Sequence, residues 1–427
     1  MSETETRDHL VEFRRDLHRH PEPAWCEFYT TSRIVEECER IGVDALHVGK
    51  EALAPEKRTG VPDDEELERW AERAREAGAR EDVLEATAGG HTGVVAELHR
   101  GDGPTIALRV DIDALPQVES DDEDHLPARE GFRSENEGAM HACGHDGHAT
   151  IGVGVLEAIA DSDFEGTLKV LFQPAEELIG GGKAMAKSGH LDEVDSLLAV
   201  HLGLDHPTGE VVAGVDGFLA VKHLDATFTG EPSHAGGHPE QGRNAILALA
   251  TATQNLYAIP RHDDGPTRIN VGEIEGGTAS NIIAEEAHLV GEVRGQTTEL
   301  KDYMFDHARR IIENAAEMHD CEVSFEPGGE APSATSDDDL RELVAAVAGE
   351  TEGVDSILDR DELGGSEDAT YLMQEVQDNG GTAAYVGVGT DHPGGHHTAT
   401  FDVDERSLGI GVGLLSETIR RIGADLD

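Results

Sequence analysis

Cationic side chains are in short supply in this sequence: 33 Lys and Arg face 88 Asp and Glu, a formal net charge of −55. Such a balance repels nucleic-acid phosphates and anionic membrane surfaces, which excludes polyanionic partners. Cysteine is sparse too. Cys26, Cys38, Cys143 and Cys321 lie far apart, and the opening MSETETRDHL has no secretory pattern, so no disulfide framework is expected and a cytoplasmic location is. No run of about 18 apolar residues occurs, so a soluble chain without a membrane span is expected. Two familiar signatures are missing as well. GGSED, residues 364–368, does not complete a G-x-S-x-G elbow, and neither GVGV nor GIGVG completes a G-x-G-x-x-G fingerprint after a strand. A dinucleotide-dependent oxidoreductase is thereby set aside.

Hydrophobic residues nevertheless make up 37% of the 427 positions, and apolar periodicity persists through most of the chain, which argues for a folded protein over an acidic disordered one. The length exceeds one ordinary core, so two or three domains are expected. The acids are spread along the chain rather than gathered in a tail, and the few bases are mostly arginine, the pattern of a halophilic surface.

Leu10, Phe13, Arg14 and Leu17 share one face of a helix over 4–19, Pro21 stops it, and a second helix follows at about 28–41. Residues 51–86, with PDDEELERWAERAREAGARED at their heart, read as an exposed, charged helical insertion whose plainest role is a solvated face. From His91 onward the runs GVVAEL, TIALRV, TLKVLF and SLLAVHL alternate with helical stretches at 147–160 and 180–188, the pattern of a three-layer α/β domain with a largely parallel sheet. Residues 217–327 follow the order βαββαβ, which predicts an inserted ferredoxin-like domain. The α/β pattern resumes over 328–427, so 1–216 and 328–427 form one domain in two parts.

GAMHACGHDGHAT, residues 138–150, concentrates three histidines, one cysteine and one aspartate between His141 and His148. In an extended segment Cys143 and His145 would point to one side and grip the same metal. The bland alternative is a local zinc knot of His141, Cys143, His145 and His148. Distant donors argue against it. TLKVLFQPAEE delivers the adjacent carboxylates Glu176 and Glu177 at a strand's carboxyl end, where α/β sheets place their ligands; one can bind metal while the other moves a proton. SLLAVHL leads to His201, and HPGGHHTATFD offers His392, His396 and His397. A lone acidic pair or histidine is usually a surface or packing residue, so the weight rests on their joint occurrence. Ser233-His234 and the helix start at Gly242 to Asn244 could receive an anion or could be a routine loop and cap. Arg294 could add a bidentate carboxylate contact or pair with a surface acid.

Together LHRHPEP, TGVVAEL, IALRVDIDALP, MHACGHDGHAT, LFQPAEE, PSHA with GRNAI, GGTASNIIAEEAHLVGEVR, GGSEDA and HHTATFDVDE resemble the M-twenty peptidase family of dinuclear-metal amidohydrolases, in its aminoacylase, hippurate hydrolase and indole-acetyl-amino-acid hydrolase branch. The resemblance covers nearly the whole chain except 51–86. It implies that Cys143, His145, Glu177, His201 and His397 hold two divalent metal ions, Cys143 bridging, with zinc the chemical default and manganese, cobalt or nickel as alternatives. It implies Glu176 as general base, Asp113 as an aspartate that orients a ligand, and His234 as a lid histidine that stabilises the oxyanion. Asn244 and Arg294 match positions near the substrate's carboxylate. His397 rather than His396 is selected by counting four residues back from Phe401. Here Thr398-Ala399 follows it where relatives commonly have a residue and proline, and Ala284 replaces another proline.

The implied reaction is hydrolysis of the amide of an N-acyl amino acid, a small-molecule substrate, by a homodimer formed through the inserted domain. The alternatives are an N-carbamoyl or succinyl amide hydrolase on the same site, and a noncatalytic metal-binding scaffold. The acidic surface generates the first prediction. Self-repulsion is screened in molar salt, where the Debye length falls to about 3 Å, so the melting temperature should rise steeply from dilute buffer to molar KCl; a melting temperature indifferent to KCl contradicts it.

Overall fold

In the computed structural model, which describes residues 3–424, the amphipathic opening forms helix α1 (Glu3–Arg19), and Leu10, Phe13 and Leu17 are buried along one stripe. Helix α2 (Phe28–Ile41) follows and ends at Gly42, whose φ of 80° no side-chain-bearing residue adopts cheaply and whose N–H donates to the Cys38 carbonyl. The chain forms two units. The first runs to Gly217, resumes over Ala334–Leu363 and continues from Asp368; the second comprises Phe218–Ser333 with Gly364–Glu367.

The first unit is built on an eight-stranded sheet. Strands β1 (Ala45–Val48), β2 (Val94–His99), β3 (Thr105–Asp111), β4 (Thr167–Gln173) and β5 (Ser196–Leu202) lie in the order β1-β2-β4-β3-β5, followed by the strands Thr382–Val388, Glu210–Val212 and Ser356–Leu358. β3, β4, β5 and Thr382–Val388 are mutually parallel, and β5 is buried at every position, as a strand covered by helices on both faces must be. The expected parallel pairing holds across the centre and returns at the far edge, where Ser356–Leu358 pairs parallel to Glu210–Val212. β1 and β2 pair antiparallel on one side and Glu210–Val212 pairs antiparallel to Thr382–Val388 on the other. Helix His145–Ala160 is buried almost throughout, and it packs closely at Gly154, where a Cβ would stand 2.5 Å from a Val412 methyl and 3.0 Å from a Leu10 methyl.

The segment 51–86 departs from its expected solvated character. It forms helices α3 (Asp64–Ala77) and α4 (Glu81–Thr87), and Leu67, Trp70 and Ala74 bury a stripe against Cys26, Phe28, Tyr29 and Leu84. Full burial of a large apolar side chain stabilises by roughly 1.5–3 kcal/mol, so the charged composition describes only the outer face of α3.

In the second unit the strands Ala220–Thr229, Thr267–Gly276, Glu286–Gly295 and Glu322–Phe325 alternate with helices Ala245–Leu256 and Thr298–Met318 in the order βαββαβ. The sheet is antiparallel with the second, third, first and fourth of these strands side by side, a ferredoxin-like arrangement. Ala287, Leu289 and Val293 alternate inward and meet Leu249, Met304 and Ile312. The sequence pattern ends this segment at 327, but the unit extends to Ser333, because Glu330–Ala331 pairs with Lys222 and Val221. It also takes in Gly364–Glu367, where the Gly365 carbonyl accepts from Leu219 N at 2.7 Å. Among the described residues no helix is long and apolar enough to cross a membrane.

Candidate metal centre

β3 leaves the sheet at Asp111, and Asp113 follows two residues later, so a two-residue period places two carboxylates at the carboxyl end of one central strand. Both are buried. Asp113 Oδ1 lies 3.2 Å from His145 Nδ1, and its Oδ2 accepts from Glu177 N at 3.0 Å. Asp111 Oδ1 lies 2.5 Å from His148 Nδ1, while His148 Nε2 accepts from Leu202 N at 2.8 Å.

Cys143 and His145 do not sit on an extended segment as expected. Gly144 between them has φ 91° and opens helix His145–Ala160, and this left-handed turn sets the two side chains. Cys143 Sγ lies 3.5 Å from His201 Nε2 and 3.6 Å from His396 Nδ1. His201 Nδ1 donates to the Leu202 carbonyl at 2.7 Å, which leaves Nε2 with its lone pair toward the sulfur. His396 Nε2 accepts from Leu204 N at 3.1 Å, so its Nδ1–H faces Cys143 as a donor.

Beyond β4 the chain turns through Ala175, whose φ is 56° and whose N–H donates to the buried Glu27 Oε1 at 2.8 Å. That turn presents both acids. Glu176 Oε2 and Glu177 Oε1 each lie 3.9 Å from His145 Nε2, and Glu177 Oε2 lies 3.6 Å from His397 Nε2. His397 itself is held in the left-handed region at φ 60°, with its N–H on the Ala142 carbonyl at 2.8 Å.

These side chains form overlapping donor groups: Cys143, His145 and His201; Cys143, Glu177 and His397; His145, Glu176 and Glu177. Two atoms test the fit. His145 Nε2 and Glu177 Oε1 are buried without a hydrogen-bond partner, an arrangement that costs free energy unless a cation receives both. The electrostatics agree. Burial pushes Glu177 up to about 7, with Asp113 and Asp111 adding to it and His145 and Cys143 opposing. Burial and Glu177 also push the Cys143 thiol up. Burial opposes charge on His145, but Asp111 and the hydrogen bond to Asp113 outweigh it and raise its pKa, whereas burial beside His148 and His396 holds His201 well below the usual imidazole range. A divalent ion inverts such penalties, and sulfur, nitrogen and oxygen donors together suit a borderline-soft one.

Of the residues singled out in the sequence, Cys143, His145, Glu176, Glu177, His201, His397 and Asp113 come together in the first unit. His234, Asn244 and Arg294 belong to the second. His234 Nδ1 accepts from Gly236 N and Gly237 N at 3.1 and 2.9 Å, which leaves Nε2 to carry the proton outward. Asn244 caps helix Ala245–Leu256, its Oδ1 accepting from Ile246 N at 3.0 Å. Arg294 places its fork on Glu292 at 2.8 and 3.0 Å. Asp111 and the donor role of His396 were missed in the sequence; the spacing of Asp111 from Asp113 in DIDALP was the available signal for the first. The local zinc knot loses His148, both of whose nitrogens the protein already engages.

A parallel-centred sheet with acids and imidazoles gathered at its carboxyl ends defines the α/β metallopeptidase class. The chain belongs to Peptidase family M20/M25/M40, whose model matches residues 107–421, and it is a hydrolase of that family. It is 44% identical over 417 residues to the indole-3-acetyl-aspartic acid hydrolase of Enterobacter agglomerans, covering 96% of this chain and 94% of that one. It is 42% identical over 413 residues to one of the subunits of the p-aminobenzoyl-glutamate hydrolase of Escherichia coli K12, covering 96% and 94%. The crystal structure of the aminobenzoyl-glutamate utilization protein from Klebsiella pneumoniae superposes with a TM-score of 0.83 at 35% identity, covering 98% of this chain and 96% of that one.

The hydrogen bonds on both His148 nitrogens give it a supporting place beside the candidate ligands. After identical dialysis, metal analysis should find that His148→Ala keeps far more metal than Cys143→Ala; equal loss would return His148 to the ligand set.

Proposed function

We propose that the protein hydrolyses the amide bond of N-acyl amino acids, at a site where Cys143, His145, Glu177, His201 and His397 hold two divalent ions. The observation that carries this reading is the placement of Glu176 beside the unpartnered His145 Nε2 and Glu177 Oε1: a second carboxylate stands next to a cation-binding set. Two relatives named for amides of aspartate and glutamate support an N-acyl acidic amino acid as the substrate class. When bound, ions of the zinc, manganese, cobalt or nickel type supply Lewis acidity to the scissile carbonyl and bring the pKa of water toward neutrality.

The chain's own residues do the rest. Glu176, only 9% exposed, accepts the proton of the attacking water and delivers it to the leaving nitrogen, so that the acyl group departs as a carboxylate and the amino acid as an amine. Asp113 fixes the ring of His145 and the backbone of Glu177, which sets the direction of two binding groups with one carboxylate. His234, with its proton on Nε2, is assigned to the developing oxyanion, a contact whose loss typically costs about 100- to 1000-fold in turnover. Asn244 and Arg294 are assigned to the substrate's carboxylate, which has to displace Glu292 from the Arg294 fork.

A homodimer through the second unit accompanies this reading. Its strand Thr267–Gly276 is at a sheet edge and exposes Ile274, and the adjacent helix leaves Ile246, Leu247 and Tyr257 exposed. A second copy would cover both.

The test is hydrolysis of a panel of N-acyl amino acids, N-carbamoyl and N-succinyl amides in molar KCl, with chelation and metal add-back. Metal-restored cleavage of N-acyl aspartate or glutamate is expected, and Glu176→Gln should keep its metal while turnover falls by about 100- to 10,000-fold. Full activity in the metal-loaded Glu176→Gln protein would overturn the mechanism.

A further inference from the structure

Far from the candidate centre, a second group of donors converges on the face of the sheet edge. β1 pairs with β2 so that Ala45 faces Glu97 and His47 faces Val95, which makes His47 and Glu97 diagonal neighbours on one face. The turn before β5 brings His190 to the same place. His47 Nε2 lies 3.6 Å and His190 Nδ1 3.7 Å from Glu97 Oε1, and the three donor atoms lie within 4.8 Å of one another. We propose that His47, Glu97 and His190 form a separate site for one divalent cation of the zinc type.

Three features favour a cation over a plain ion-pair cluster. His190 Nε2 donates to the Glu51 carbonyl at 2.8 Å, which fixes the tautomer and turns the Nδ1 lone pair toward Glu97, the kind of outer contact that orients metal-binding imidazoles. The rings of His47 and His190 stand 4.6 Å apart between centroids, so charging both sets two cations against each other, whereas one shared ion uses both as neutral ligands. Tetrahedral zinc with bonds near 2.0–2.1 Å sets its donors about 3.3 Å apart, a few tenths of an ångström from the two imidazole separations to Glu97 Oε1. Lys169 is the competitor for Glu97. Its ammonium stands 3.7 Å from the same oxygen, beyond hydrogen-bond reach, and donates instead to the His190 carbonyl at 2.9 Å. His99 Nε2, 3.5 Å from Glu97 Oε2, or a water completes the coordination.

The site is distinct from the candidate centre. Glu97 pairs with Lys169, four residues before Gln173, where β4 turns toward Glu176. At about 3.3 Å per residue that is roughly 13 Å of strand alone. An ion there clips the edge strand β1 and the turn at His190 to β2, so its chemistry is structural and its loss leaves Glu176 and its neighbours untouched.

The experiment compares the chelator-stripped wild-type chain with a His47→Ala, His190→Ala double variant, each titrated with Zn²⁺ in molar KCl and exchanged into metal-free buffer before metal analysis. The wild type should hold one ion per chain more than the double variant, while amidase activity with the candidate centre reloaded is unchanged. A second arm uses the Cys143→Ala chain, in which zinc should still raise the melting temperature, and that rise should vanish when His47→Ala is added. Equal stoichiometry in the first arm overturns the proposal, and so does a Cys143→Ala chain whose melting temperature ignores zinc.

Discussion

The carboxylate of Asp113 accepts from His145 Nδ1 and from the backbone N–H of Glu177, and so ties the start of a buried helix and the turn after β4 to the end of β3. Asp111, two residues earlier, extends the same device through His148 to Leu202 N at the end of β5. Two aspartates on one strand end therefore register three segments that are distant in sequence. Each is buried, so its charge is tolerable only because these partners are present. Burial disfavours the charge on Asp111, but His145, His148 and the Arg109 guanidinium hold its carboxyl well below the usual range. The proposed metal centre rests on this frame: Cys143, His201 and His397 would add donors to positions that the aspartates already fix.

Charge is managed differently inside and outside. Behind the His145 turn, Arg14 and His18 both reach Asp146 at 2.8 Å, and His18 continues to Glu119 at 3.0 Å, all fully buried. Breaking such a pair by removing one partner typically costs about 3–5 kcal/mol, because the remaining charge stays buried. On the surface the scarce arginines are shared. Arg80 contacts Glu39 and Asp82, and Arg421 contacts Glu350 and Glu417. Exposed pairs of this kind contribute about 1 kcal/mol or less.

Much of the architecture was legible because it rests on local pattern. The continuous apolar runs announced the buried central strands, and the βαββαβ order announced the antiparallel sheet of the second unit. The pattern could not give the antiparallel edges, since β1 and β2 differ from parallel strands in connection rather than in composition. Nor could it show that Trp70 and Leu67 anchor the charged α3, because a narrow apolar stripe is diluted by the acids around it. At the site, residue types and order brought Cys143, His145, Glu176, Glu177, His201 and His397 to notice, but spacing alone suggested an extended segment where Gly144 makes a left-handed turn. Asp111 went unremarked because an acid at a strand end gains meaning only when His148 is seen against it. The alternatives left open for Asn244 and Arg294 meet their bland partners in the structure, a helix cap and Glu292.

The central claim is that the fold, and not the local HACGHDGH stretch, assembles a two-ion centre around Cys143. An anomalous difference map recorded at the absorption edge of the bound metal, on crystals of the metal-loaded protein, tests it most directly. The account predicts two peaks flanking Cys143 Sγ, within bonding distance of His145, Glu177, His201 and His397 between them. A single peak enclosed by His141, Cys143, His145 and His148, or no peak at Cys143, would contradict it.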